Sequence, residues 1–405
     1  MKKALLLLAA VALPALAQAG DLPPADAAVR ALDAHPAVLA ATARVDAARA
    51  EGDALRAGTH EVTAQGTLSR RNIDAEGRYV EYDASVSRAF RLPGKAALDR
   101  RAGALGVDVS QNLMEDSRHQ AALELGALWY DWLLAAELHR NAGKLVENQQ
   151  ALVRATESRL KARDAARLEL EQSQAALALA MAQMGDATAS RDRARTLLAN
   201  RFPDLPLPAE PPFIVPPAAP EAGLLALERL IVERSHEIAA ASGQAERRAV
   251  LARRAEAERV ADPSLGVRLF SERGGEEKGA GLTMSLPLGG SHRRAVARQA
   301  VAEARAAESD LTSVRRDIVG NAAADVAEYR AREAAWLSSR EAVARAEQSA
   351  TLAVRGQQMG AIDLADRLYA ERQANEARAQ ELAARAAAAR LILKLRIDSH
   401  TLWID

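Results

Sequence analysis

The residues of this 405-residue chain with the most obvious capacity for chemistry are its seven histidines, its 54 carboxylates and one aromatic cluster. His35, His60, His119, His139, His236, His292 and His400 never recur at the i, i+4 spacing that puts two imidazoles on one helix face. None sits among carboxylates in a recognised ligand pattern, so the sequence predicts no metal site. Cysteine is absent, which removes disulfides, thiolate sites, thiol nucleophiles and a lipid-modified cysteine anchor. Gly274-Gly275 and Gly289-Gly290 could cradle phosphate, but neither belongs to a phosphate-loop pattern, and both read as turns. Trp129-Tyr130-Asp131-Trp132 could box a ligand, yet it falls inside a helical stretch at heptad-like positions, where packing explains it. No serine, histidine and acid set stands out from a helical chain this rich in charge, so neither an enzyme nor a cofactor is expected. With 54 basic against 54 acidic residues, nothing suggests a nucleic-acid partner.

The elements that must position these residues are long and mostly helical. Residues 1–19 carry Lys2 and Lys3, an apolar run from Ala4 to Leu13, and Ala17-Gln18-Ala19. That small-x-small ending predicts a cleaved signal peptide. The run is shorter than the ~20 residues needed to span a bilayer as a helix, and no later stretch reaches that length. A membrane crossing would have to use strands. Hydrophobic residues make up 49% of the chain but aromatics only 3%, which suits narrow, alanine-filled seams between helices.

Eight of the fifteen prolines lie between Pro203 and Pro220. Proline breaks helix interiors, so residues 203–222 read as an extended linker between two repeats, 20–202 and 223–405. Proline-free, alanine-, leucine-, glutamate- and arginine-rich stretches predict a long helix over about 95–163 with a return helix at 167–201. A second pair follows at 291–356 and 362–398. Heptad spacing, as in Leu138, Leu145 and Leu152, supports coiled-coil packing. Each repeat also holds two alternating segments, at 60–70 and 79–90 and at 263–271 and 279–287. Their length of about 9–11 residues is that of a tilted membrane strand. Four strands cannot close into a barrel, so closure needs more than one chain.

Before the strands His35 pairs with His236, and from the end of each strand pair onward the halves align at an offset about seven residues smaller, the difference falling in the loop of the first strand pair. The smaller offset pairs Leu92-Pro93 with Leu286-Pro287, Asp131 with Asp325, and Leu168-Glu169-Leu170 with Ile362-Asp363-Leu364. Hairpin turns are expected near Arg163 to Ala166 and near Gly356 to Gly360.

This duplicated plan of helix, strand pair, long helix and return helix resembles the TolC-type outer-membrane efflux family over nearly the whole mature chain. Gly360-Ala361-Ile362-Asp363-Leu364, with Leu368, Ala370 and Arg372 downstream, is similar to the family's turn and return helix. Ala165 to Leu170 is the counterpart without the glycine. The resemblance implies a homotrimer, each subunit giving four strands to a 12-stranded transmembrane β-barrel continued by a helical α-barrel. It also implies an outer-membrane location in a Gram-negative bacterium, extending into the periplasm, with a periplasmic adaptor and an inner-membrane RND or ABC transporter as partners. Asp363 and Asp366 become the candidate aperture residues. Gln357 and Ile362 stand where an aromatic and a basic latch residue occur in the family. The implied adaptor-docking tips comprise Arg163, Asp164, Ala166, Arg167, Gly356 and Gly360.

The expected function is a passive, gated conduit for small molecules or metal ions. Leu92 to Lys95 and Leu288 to Gly290 resemble the divalent-metal branch, although no histidine- or methionine-rich tract accompanies them. The runner-up is a periplasmic coiled-coil adaptor or scaffold that conducts nothing; its usual form has one helical hairpin in a β-rich domain.

Overall fold

A computed structural model describes residues 20–74, 76–218 and 223–404. The expected signal peptide and linker residues 219–222 lie outside the described residues. Two short helices, α1 (Ala25–Asp33) and α2 (Pro36–Ala57), lead into strands β1 (Val62–Ile73) and β2 (Gly77–Ala89). The long helix α3 (Lys95–Lys161) and its return α4 (Arg167–Arg201) follow. The order then repeats as α5 (Leu224–Arg234), α6 (His236–Ala257), β3 (Ser264–Glu272), β4 (Glu277–Ser285), α7 (Ser291–Gln358) and α8 (Leu364–Asp398). None of the described helices is long and apolar enough to cross a membrane.

Sequence chemistry sets the breaks. Pro36 opens α2 at a position where its missing N–H costs nothing, and the His35 ring accepts the Ala37 N–H at 3.3 Å. In the second repeat Ser235 does the same work, its hydroxyl accepting the Ile238 N–H at 3.1 Å. β1 runs to Ile73, beyond the alternating segment read from sequence, because Arg70, Arg71 and Asn72 still pair with β2 after the apolar alternation has stopped.

The described chain forms two compact units, and neither is one of the sequence halves. One takes residues up to Ala31 with Leu125–Ala218 and Tyr329–Ile392; the other takes Leu32–Glu124, 223–328 and 393–404. In the first, Trp129 and Trp132 are 2% and 1% exposed and meet edge-on at 5.3 Å, a favoured aromatic geometry. The Trp129 Nε1–H donates to the Asp21 carbonyl at 2.6 Å, and Tyr130 donates to the Asp21 carboxylate at 2.9 Å. The described part of the proline-rich segment is anchored on this core. Ile214 is buried, its N–H donates to Glu137, and Arg385 donates to both its carbonyl and Glu137.

In the second unit the four strands form one antiparallel sheet in the order β1-β2-β3-β4. Where strands give way to helices, Lys95 is 1% exposed. Its Nζ donates to the Val260 carbonyl at 2.7 Å and to Asp262 at 2.8 Å, and it lies 3.1 Å from Glu258. Asp262 also accepts the Leu92 N–H and pairs with His60, both at 2.9 Å. Arg254 and Arg293 close on Glu258 from either side, while Arg91 and Arg254 share Asp99. A buried ammonium is tolerated only when surrounded by such acceptors.

Burial pushes the Asp262 carboxyl up, but hydrogen bonds from Lys95, Leu92 and His60 outweigh it and hold the group below the usual range. Glu258 is likewise pushed up by burial and brought lower by Arg254, Lys95 and Arg293. Both carboxylates therefore stabilise the fold above their unfolded pKa, and that contribution disappears as pH falls through the lowered folded values. Thermal melts of detergent-solubilised protein should show stability dropping as pH descends below about 4. Lys95→Met, which removes the buried cation beside Asp262, should destabilise by about 3–5 kcal/mol and weaken the acid dependence, leaving the part that Arg254 and Arg293 supply at Glu258.

Candidate functional site

The sheet is built with its polarity reversed. Antiparallel partners share a face, so the register assembles rows across the strands: Ala64, Val86, Val267 and Leu282, then Gly66, Ala84, Leu269 and Ala280. Val62, Leu265 and Met284 extend the face at one end, and Leu68, Tyr82 and Val80 at the other. Leu282, Met284 and Leu68 are 89%, 73% and 71% exposed. The opposite face carries Thr63, Gln65, Ser85, Ser87, Asp83, Arg268 and Thr283, and along β2 it is the more covered of the two. Arg71 pairs with Glu81 at 3.1 Å, and Arg268 pairs with Asp83.

A sheet in water puts its apolar side chains inward; this one turns them out. The stripe from Val62 to Leu68 measures about 20 Å at ~3.3 Å per residue, close to the ~25 Å apolar band of outer-membrane barrels. Polar residues bound it, with Arg88 in the Val62 row, Lys278 in the Leu68 row, and Arg70 and Arg78 past Leu68. One edge each of β1 and β4 has no strand partner among the described residues. On the polar face, Phe270 lies across from Gly279, where a Cβ would fall 2.4 Å from its ring. Only glycine leaves that aromatic room.

The two helical tips belong to the other unit. At the first, α3 ends at Lys161 because Arg163 takes a left-handed φ of 61°. The Asp164 N–H then reaches back to the Arg159 carbonyl at 2.8 Å. Arg159 clamps the turn, donating to the Asp164 carbonyl at 2.7 Å and to Glu169 at 3.1 Å, while Glu169 accepts the Ala166 N–H. Arg163, Asp164, Ala166 and Arg167 are all exposed.

At the second tip Gly360 holds the left-handed position with φ 73°, and the Ala361 N–H reaches the Gly356 carbonyl at 2.8 Å. Ile362 packs over Gly356, where a Cβ would meet it at 3.4 Å. Asp363 caps α8 by accepting the Asp366 N–H at 2.8 Å. Its carboxylate is thus committed to the helix start, whereas Asp366 stands exposed in the first turn. Gln357 accepts from Arg367 at 3.3 Å, and Arg367 also donates to Glu371, which in turn accepts from Gln149.

Sequence reading did not single out these two arginine clamps. Arg367 and Glu371 do show the i, i+4 spacing of a helical ion pair, but the partners of Arg159 meet only once the turn has formed. The turns also correct the repeat alignment. Arg163 corresponds to Gly360 and Arg167 to Leu364, about one helical turn away from the register drawn through Glu169 and Asp363. A slip of nearly one turn preserves the apolar face, which is why the sequence pattern tolerated it.

Beside the tips, a groove of about 490 Å³ is lined by Leu145, Ala176, Leu179, Leu368, Tyr369 and Arg372, among others. Leu179 and Tyr369 are mostly exposed.

The chain thus combines an open antiparallel sheet that exposes its apolar face with duplicated proline-free helical hairpins. No protein-family model matches this sequence, and no curated protein does either. Solved structures do. The outer-membrane channel OprN superposes with a TM-score of 0.77 at 20% identity, over 94% of this chain and 90% of that one. CusC, described in connection with transmembrane channel formation, gives 0.79 at 14% over 93% and 91%. The outer-membrane protein VceC of Vibrio cholerae gives 0.73 at 16% over 93% and 95%. The chain therefore has the TolC-type outer-membrane channel fold, and these neighbours are channel proteins, not enzymes.

The cap at the second tip separates two roles of one carboxylate. Asp363→Ala should cost about 1 kcal/mol locally, seen as faster amide exchange at Asp366 and Arg367. Asp363→Asn keeps the acceptor, and should leave that exchange near wild type if the role is capping.

Proposed function

We propose that this chain is the subunit of a homotrimeric outer-membrane channel, a passive and gated duct that passes small molecules or metal ions out of a Gram-negative cell. The observation that carries the reading is the sheet's exposed apolar face together with its two open edges. Apolar strands that face outward find a stable environment in lipid, where every backbone group must be paired. Joining β4 of one copy to β1 of the next removes both edges, and three copies of four strands give the twelve of the expected barrel. The polar face, with Asp83, Arg268 and Thr283, then lines an aqueous bore.

The tips form the periplasmic end in this proposal. Asp366 is the better candidate for a charged ring at the aperture, since Asp363 is engaged as a helix cap. Arg159 and Arg367 hold the two turns, a role the expected aromatic and basic latch residues would otherwise have supplied. The exposed turns at Arg163 to Arg167 and Gly356 to Gly360 are where a periplasmic adaptor would dock, linking the duct to an inner-membrane RND or ABC transporter that provides the energy. A non-conducting scaffold is the competing reading, but it leaves the outward apolar rows without a purpose.

Two measurements test this. Purified protein in planar bilayers should raise ion current, and Asp366→Asn should reduce its preference for cations; protein that never conducts favours the scaffold. Leu282→Arg should cost about 2–4 kcal/mol near the bilayer midplane and depress assembly into the outer membrane, whereas Thr283→Arg on the other face should assemble normally. Equal behaviour of the two variants would contradict the lipid-facing assignment.

A further inference from the structure

A second cluster lies on the helices of the unit that carries the sheet. Asp116 and His119 sit at i, i+3 on α3, which puts them on one helix face. Glu237 joins them from the first turn of α6, and one ligand atom from each of the three lies within 4.8 Å of the others. Sequence reading kept these residues apart, because Glu237 is far along the chain and a carboxylate and a histidine at i, i+3 form no recognised motif by themselves.

Each member has one arm held by a neighbour and the other left for the cluster. The Nε2 of His119 pairs with Asp398 at 2.8 Å, and Asp398 is itself held by Lys394 at 2.7 Å. Glu237 Oε2 accepts from the Ser235 hydroxyl at 2.8 Å, and Asp116 Oδ1 accepts from Gln120 at 3.3 Å. His119 is 7% exposed, and its Nδ1 is buried without a hydrogen-bond partner, 3.7 Å from Glu237 Oε1. A buried ring nitrogen is seldom left unsatisfied. When a carboxylate takes the Nε2–H, the proton is fixed there and a lone pair is fixed on Nδ1, the arrangement that carboxylate partners impose on metal-binding histidines.

We propose that Asp116, His119 and Glu237 form a binding site for one divalent first-row transition ion, such as Zn²⁺, that clips α3 to α6. One imidazole nitrogen with two carboxylates suits such an ion better than Mg²⁺ or Ca²⁺, which favour oxygen alone. Small rotamer adjustments bring ligand atoms that lie within 4.8 Å of one another to the ~3–3.5 Å expected around an ion bound at ~2.0–2.2 Å. The site is distinct from the proposed conduit. It is a structural clip, and its occupancy can be measured without any transport assay.

The test uses the full chain purified in detergent, stripped with chelator and titrated with Zn²⁺, Mn²⁺, Mg²⁺ and Ca²⁺ by calorimetry and thermal melting. The expected result is one tight Zn²⁺ per chain, binding more tightly than Mg²⁺ or Ca²⁺ and raising the melting temperature. Asp116→Asn and Glu237→Gln should each weaken binding at least about tenfold, and Asp398→Asn, which releases the ring, by about 10–100-fold. Circular dichroism confirms that the variants fold, and exposed His292→Ala controls for surface binding. X-ray absorption should find one histidine nitrogen among oxygen ligands. Failure of Zn²⁺ to bind, or unchanged affinity in the Asp116→Asn, Glu237→Gln double variant, overturns the proposal.

Discussion

The structure depends on where the apolar faces of four strands can go. Leu68, Val86, Val267, Leu282 and Met284 are aligned by the register onto one side of the sheet and left uncovered. Fully burying an exposed Val, Leu or Met side chain is worth about 1.5–3 kcal/mol, so nine of them on one face could not be sustained by a soluble four-stranded sheet. Hydrocarbon solvent removes that cost, and it imposes closure because open edges have no water to satisfy them. In the proposed channel, the lipid face and the oligomer are two consequences of the same arrangement.

The elements around the sheet hold it to the helices and pack those helices together. The Lys95, Asp262 and Glu258 cluster ties the ends of the strands to the helices that enter and leave them, using charges buried deeply enough that removing one partner exposes the others. In the other unit, Trp129 and Trp132 fill the core, and Ile214 with Glu137 and Arg385 docks the proline-rich segment against it. The same Leu-Pro-Gly-Lys stretch that suggested a metal-efflux branch from sequence thus supplies, through Lys95, a structural ion pair.

How much could be read in the chain varies with the range of the interaction. Period-two alternation at Val62 to Leu68 and Val80 to Val86 exposed the strands, because it is local and needs no partner. Proline placement likewise marked the long helices. The row that aligns Val86 with Val267 and Leu282 is set by pairing across the whole chain, so no single segment contains it. Arg163 was legible as part of a tip but not as its left-handed residue, since a non-glycine there carries no turn signature. The clamps of Arg159 and Arg367 and the grouping of His119 with Glu237 arise only when distant segments meet.

In the proposed barrel, alternate residues of β4 face lipid and water. With no native cysteine, single cysteines at Leu282, Thr283 and Met284 can carry an environment-sensitive fluorophore in bilayers containing lipids with a quencher on the acyl chain. Strong quenching is expected at 282 and 284 and weak quenching at 283, with the reverse order for a water-soluble quencher. Uniform quenching along β4, or protection of all three positions from the lipid quencher, would contradict it.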